Sequence, residues 1–335
     1  GYNDKGMVEG LLATCELFDP KLREWKKGGA APMARARWGH ACVALGGIIY
    51  VVGGCSLALH AQPVVSSMET LRCCEAYCPK EDTWTPLAQL ATARSGARAV
   101  AIGGKYVAAV GGCDDIFGRE EHLRSVELFD PEVGVWTTLE RSLQRPRPIA
   151  AAAALPSADS RRRGEADDTP VTEDVVVGHV LIMGGAAALS SAEVYDVVPP
   201  QRDNADDAQG SPVMLEREQL AIGQIYKPNR DLPDMPQGRM GCQAALINLP
   251  APDGPGYPKA DRPSVVVIGG EVWESVPVGG RVGGQPKRTD FSNILVFDTL
   301  TGTWRADEIV PPMPAPRTAV AICVGLGHAW RPQVQ

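Results

Sequence analysis

Residues 105–112 read Lys105-Tyr106-Val107-Ala108-Ala109-Val110-Gly111-Gly112, and Glu127-Leu128-Phe129-Asp130 and then Trp136 follow them. The apolar run is short and bounded by turn residues, which predicts a strand. It is apolar on both faces, as a strand covered on both sides is. The glycine doublet ends it where the backbone turns sharply or packs closely. Asp130-Pro131 starts a turn, so Trp136, seven residues after Phe129, falls on an antiparallel return strand.

The same sequence of markers runs along the chain. Doublets close apolar runs at Gly53-Gly54, Gly111-Gly112, Gly184-Gly185 and Gly269-Gly270. An aromatic follows, usually with Asp beside it, at Phe18-Asp19, Tyr77-Cys78, Phe129-Asp130, Tyr195-Asp196 and Phe297-Asp298. Trp25, Trp84, Trp136 and Trp304 stand seven residues after four of these five aromatics. After Tyr195 an insertion intervenes, and Tyr226 is the candidate for the displaced aromatic. Met or Leu then leads to Arg37, Arg94, Arg147, Arg239 and Arg317, each four residues on and each before a strand of small residues. Intervals between these arginines are 57, 53, 92 and 78 residues, so the last two repeats carry inserts.

Such a period marks a repeat architecture. Each unit holds four short strands, which make a small twisted sheet that cannot bury both faces alone. Sheets stacked face to face around an axis bury one another, and Ala and Gly suit the crowded innermost strands. The doublet, the aromatic with Asp and the spaced Trp together resemble the kelch repeat, over nearly the whole chain. The resemblance implies an all-β fold, a kelch-type β-propeller of four-stranded antiparallel blades. Five blades are read within residues 1–335: about 33–87, 90–140, 143–230 and 235–309, with a fifth assembled from 1–29 and 313–335. The N-terminal outer strands would pair with the C-terminal inner strands and so leave no free sheet edge. The alternative is a six-bladed ring with one blade missing or divergent. Polar or Gly/Pro-rich segments at about 156–175, 197–222, 250–264 and 275–290 are expected as mobile insert loops.

Composition narrows the function. Hydrophobic residues at 44% and charged residues at 22% describe a globular chain, and 36 Gly with 28 Pro predict many turns. The net charge of −7 argues against a nucleic-acid partner. No apolar run approaches the roughly 18 residues of a membrane helix. Nine scattered cysteines, an odd count, do not form a disulfide framework, so a reducing, cytoplasmic setting is expected. Gly1 is not a start methionine, so the native N-terminus is expected to be absent or processed.

Little sequence chemistry points to catalysis. Cys73-Cys74 with Cys78 lacks metal-ligand spacing, and the five histidines show none either. No metal or cofactor is therefore expected. Phosphate-loop and nucleophile-elbow patterns are absent. The five arginines recur in every repeat, so their expected role is structural: hydrogen bonds that tie each blade to the next. A ring of cations at a channel mouth is the other reading.

Function is expected where repeats differ, in the turn before each inner strand and the loop after each doublet. Trp38, His40, Arg98, Asp114, Asp115, Gln243, Trp273 and Glu274 are the candidate partner-binding residues there, Trp38 and Trp273 because aromatics anchor interfaces. The kelch resemblance implies a protein-interaction module binding a partner protein or peptide. Substrate recognition for a cullin-RING ubiquitin ligase and scaffolding in a larger assembly are its specific forms. The alternative is a small-molecule isomerase or lyase at the channel mouth, drawing on Asp114, Asp115, Arg98 and His40.

Overall fold

The computed structural model describes residues 3–5, 10–58, 68–115, 122–155, 176–186, 189–200, 232–251, 261–274, 277–278, 281–282, 286–305 and 309–320. Its described elements are strands, arranged as antiparallel sheets in which sequence neighbours pair. The first blade orders Ala41–Leu45, Ile48–Val52, Cys74–Cys78 and Thr83–Pro86; the second orders Arg98–Ile102, Tyr106–Val110, Val126–Asp130 and Val135–Thr138. The third shows Ala151–Leu155, Gly178–Met183 and Ala192–Val197, and the fourth Gln243–Leu249, Arg262–Ile268, Ile294–Asp298 and Thr303–Trp304. Tyr226, proposed for the outermost strand of the third blade, lies outside the described residues.

Seven-residue spacing sets the outer hairpins. Phe18 faces Trp25, Tyr77 faces Trp84, Phe129 faces Trp136 and Phe297 faces Trp304 across adjacent strands. Their ring centroids are 5.0–5.3 Å apart, within the range where aromatic pairs attract.

The core lies between blades. In the inner strand of the third blade, Ala152 packs with Val100, Val110 and Leu128 of the second blade. Its neighbours Ala151 and Ala153 pack with Val265, Val267 and Phe297 of the fourth. The two-residue alternation of a strand thus serves two interfaces at once, which is why the strand is apolar throughout.

Each linker between blades is bonded to both of its neighbours. Arg94 donates its main-chain N–H to Leu71 O at 3.1 Å, and its carbonyl accepts from Gly54 N at 2.8 Å, both in the first blade. Its side chain enters the second blade, donating to Gly111 O at 2.9 Å and to Glu127 Oε1 at 2.6 Å. Glu127 in turn accepts the N–H groups of Ala91 and Thr92 from the same linker. Arg37 with Glu75 and Arg147 with Glu193 repeat the arrangement, and all three pairs are buried. Removing one partner of such a pair strands a buried charge, at a cost of about 3–5 kcal/mol.

A second device circles the inner strands. Gly96 N donates to Gly39 O at 2.8 Å, Ile149 N to Gly96 O at 2.7 Å, Gly241 N to Ile149 O at 2.9 Å and Ala319 N to Gly241 O at 2.9 Å. All five residues lie two positions after a repeat arginine, and all have positive φ, between 47° and 66°. Ile149 and Ala319 accept a backbone that side chains disfavour because the collar fixes it. The collar also seats the start of a fifth repeat, 317–319, against the fourth blade. The closing pairing of N-terminal and C-terminal strands, and with it the blade count, rests on 321–335, outside the described residues. The hairpin Phe18–Asp19 with Glu24–Trp25 leaves Phe18 and Trp25 exposed.

The four insert segments fare differently. Residues 156–175 and 201–222 lie outside the described residues, as do 252–260. Within 275–290, expected as a loop, Lys287–Asp290 is a strand that returns along Glu271–Glu274. Glycine and proline between those strands masked the pairing from a reading of composition.

Two comparisons test this frame by urea unfolding. Gly112 has φ +95°, and an added Cβ would sit 2.7 Å from Ser95 O, whereas Gly134 has φ +72° and open space around it. Gly112→Ala is expected to cost about 3 kcal/mol and Gly134→Ala about 1 kcal/mol. Glu127→Ala is expected to cost about 3–5 kcal/mol, against less than about 1 kcal/mol for Glu69→Ala in the exposed pair with Arg35.

Candidate functional site

The two variable loop families meet at one end of the blades. Trp38 and Cys55 exchange main-chain hydrogen bonds of 3.0 and 2.8 Å, Ser95 and Cys113 two of 2.9 Å, and Met240 and Glu271 two of 3.0 and 2.8 Å. In the third blade Pro148 has no N–H, and only Ala186 N to Pro148 O remains, at 3.1 Å. The residue after each arginine is therefore stitched to the residue after each doublet, and both families open on the same face.

That face is uneven. In the first blade Cys55–Leu57 pairs with Met68–Thr70, and Ser56 Oγ and Arg35 tie this ribbon to the incoming linker. In the fourth blade Glu271–Glu274 pairs with Lys287–Asp290 in a second ribbon. Trp273 stands on it 45% exposed, with the Arg288 guanidinium 5.9 Å from its ring centroid. Arg288 Nε lies 2.9 Å from Glu271 and 2.7 Å from Asp290. The hydrogen bond to Asp290 holds Arg288 above the ordinary arginine pKa, and the nearby Glu271 charge adds to it. Trp273 Nε1 donates to Glu271 Oε1 at 3.1 Å, so the indole is oriented from both sides. Arg288 and Asp290 escaped the sequence reading, which had Glu271 only as part of the loop after the doublet. The signal available was the complementary charge of Glu271-Val272-Trp273-Glu274 and Lys287-Arg288-Thr289-Asp290.

The other candidates take different depths. Asp114 and Asp115 lie in the second blade's loop, half-buried and exposed, and Glu274 is exposed at the end of its strand. Trp38 is half-buried beside Cys55. Arg98 and Gln243 begin inner strands, below the loops. Arg98 bonds to the carbonyls of Ala97 and Cys242. His40 precedes the first inner strand, packed against Gly54, and its Nδ1 is buried with no acceptor or donor among the described residues. Burial, aided by the Arg37 charge, pushes its pKa down to about 4.

No group of three or more His, Cys, Asp or Glu able to hold a metal occurs among the described residues, and the eight described cysteines are free thiols. A cavity of about 270 Å³ opens at the other end of the first two blades, lined by Ile48, Tyr50, Ala76, Leu87 and Phe129 with Cys78 and Thr85. It holds no carboxylate, histidine or lysine. Among the described residues no helix is long and apolar enough to cross a membrane.

His40 supplies a pH test. Its folded pKa of about 4 lies below the ordinary histidine value of 6.5, so protonation favours the unfolded chain. Its contribution is intact above the unfolded value and is lost as pH falls through the window toward the folded one. His40→Gln is expected to remove about 2 kcal/mol of the stability loss between about pH 7 and pH 5, read from urea midpoints.

Known proteins align with this architecture. Residues 36–91 and 93–141 match the family described as Kelch motif. Kelch-like protein 25 of Xenopus tropicalis is 27% identical over 191 residues, 57% of this chain and 28% of its own length. Kelch-like protein 34 of Homo sapiens is 32% identical over 130 residues, 38% of this chain and 18% of its own length. An F-box/kelch-repeat protein of Arabidopsis thaliana is 29% identical over 133 residues, 39% of this chain and 32% of its own length. The chain thus spans less than a third of each of these relatives. The structure of YjhT matches with a TM-score of 0.53 over 92% of this chain and 86% of that chain, at 12% identity, a likeness of fold alone. Doublets that end strands and aromatic pairs across outer hairpins coincide with the kelch motifs matched at residues 36–91 and 93–141, and the four-stranded sheets have the β-propeller architecture.

Proposed function

We propose that the chain is a protein-interaction module that docks a partner protein or peptide on the loop face. Trp273 on the ribbon of the fourth blade carries this reading. It is a large aromatic side chain held exposed by Arg288 and Glu271 on paired strands, as a preorganised anchor would be. Trp38, Asp114 and Asp115 on the loops of the first and second blades, and Glu274 on the same strand, are its rim contacts on this face, with His40, Arg98 and Gln243 deeper. The finer form is substrate recognition for a cullin-RING ubiquitin ligase, or scaffolding in a larger assembly. Its support is that kelch-like proteins and an F-box/kelch-repeat protein carry similar repeats within much longer chains.

The test is affinity capture of the full-length protein from its own cells, with mass spectrometry, followed by binding measurements on the partner found. Trp273→Ala is expected to weaken that partner about 30-fold, a loss of about 2 kcal/mol. Val133→Thr, at the opposite end of the second blade, is expected to leave it unchanged. A partner indifferent to Trp273→Ala and to Asp114→Ala would refute this choice of face, and recovery of a cullin would support the ligase form.

A further inference from the structure

Arg98 is the first residue of the second blade's inner strand, and it points into the space that the inner strands surround. Its Nη2 crosses to the fourth blade and donates to Cys242 O at 3.0 Å, while Nη1 donates to Ala97 O at 3.2 Å. Nε is buried with no acceptor among the described residues. A guanidinium carries five N–H groups, so most of this one's donor capacity is unused by the protein.

Charge is the sharper problem. Arg37, Arg94, Arg147 and Arg262 are buried beside Glu75, Glu127, Glu193 and Asp298. Among the described residues Arg98 has no carboxylate partner, and Cys242, a thiol whose pKa burial raises, is the one ionisable group that acts on it. Arg239 adds to the imbalance. In the fourth blade Leu295 stands two residues before the aromatic, where the other blades have glutamate, so Arg239 is met by the neutral Asn293 and Gln237. Burial lowers the Arg239 pKa to about 10. Both guanidinium groups act on Cys242, so the wall there is electropositive. Arg239 is fully buried and Arg98 is half-buried with its Nε shut off from solvent, and the described residues offer neither guanidinium a balancing charge.

We propose that the mouth of the central space binds one small free oxyanion of the phosphate or carboxylate type, held by Arg98 through Nε and its remaining Nη protons. The anion neutralises the guanidinium and accepts the N–H groups that the carbonyls leave unused. The site lies beneath the docking face, and Trp273 takes no part in it.

The probe is inorganic phosphate, by equilibrium dialysis and by thermal unfolding against chloride at matched ionic strength. The full chain is expected to bind about one phosphate saturably, with a phosphate-specific rise in Tm of about 2 °C or more. Arg98→Met is expected to bind at least about 10-fold more weakly while melting no lower than wild type in chloride, because the unmatched charge has gone. Arg98→Lys, which keeps the charge, is expected to retain binding weakened several-fold, and it decides the matter if the Met variant does not fold. Trp273→Ala is expected to bind phosphate as wild type does, which separates this site from the docking reading. Absence of saturable phosphate binding by wild type, or binding unchanged in the Arg98 variants, overturns the proposal.

Discussion

The buried arginine–glutamate pair of the first three blades is the interaction on which the rest of this structure depends. Neither residue lies within a continuous core; both act at the join between sheets. The arginine belongs by its main chain to one blade and by its side chain to the next. The glutamate neutralises that side chain and caps the incoming linker's N–H groups. Since a blade has too little apolar surface to stand alone, a device that fixes the angle and spacing of its neighbours determines whether the faces meet at all.

The fourth blade shows what happens when that device is altered. Leu295 gains apolar packing between blades, and the Asn293 amide with the Gln237 side chain takes over the hydrogen bonds. The face of Phe291 lies 4.2 Å from the guanidinium carbon. Hydrogen bonding is thus preserved while charge balance is not. The same quarter of the molecule carries the exposed Trp273 ribbon and the Cys242 carbonyl that receives Arg98. The fourth blade therefore combines an altered join with the unusual chemistry.

Much of the fold was legible because it is written in side chains at fixed intervals. Phe129 and Trp136 are seven residues apart, and a tight turn leaves them facing each other. The doublets were legible because only glycine tolerates both a positive φ and a carbonyl where its Cβ would be, as Gly112 does against Ser95. The collar was not legible. Its bonds are between main-chain atoms, and Ile149 and Ala319 replace glycine at two of its five positions, so no residue type marks it. The Trp273 ribbon was half legible: the exposed aromatic stood out, but its partner strand sits beyond a glycine-rich stretch that resembles a plain loop. Arg98 was singled out as a surface contact, whereas its crossing to Cys242 depends on how distant blades are disposed, which local sequence does not encode.

The collar has a consequence for how this surface changes over generations. Its links ask nothing of the side chains above them, and the stitches between the two loop families are likewise main-chain bonds. A loop such as the one after Gly112 can lengthen, shorten or change sign without removing any bond that joins the blades. Variation is thereby uncoupled from foldability: the loop side chains carry none of these links, while the recurring arginines, their glutamates in three blades and the glycine doublets keep the frame.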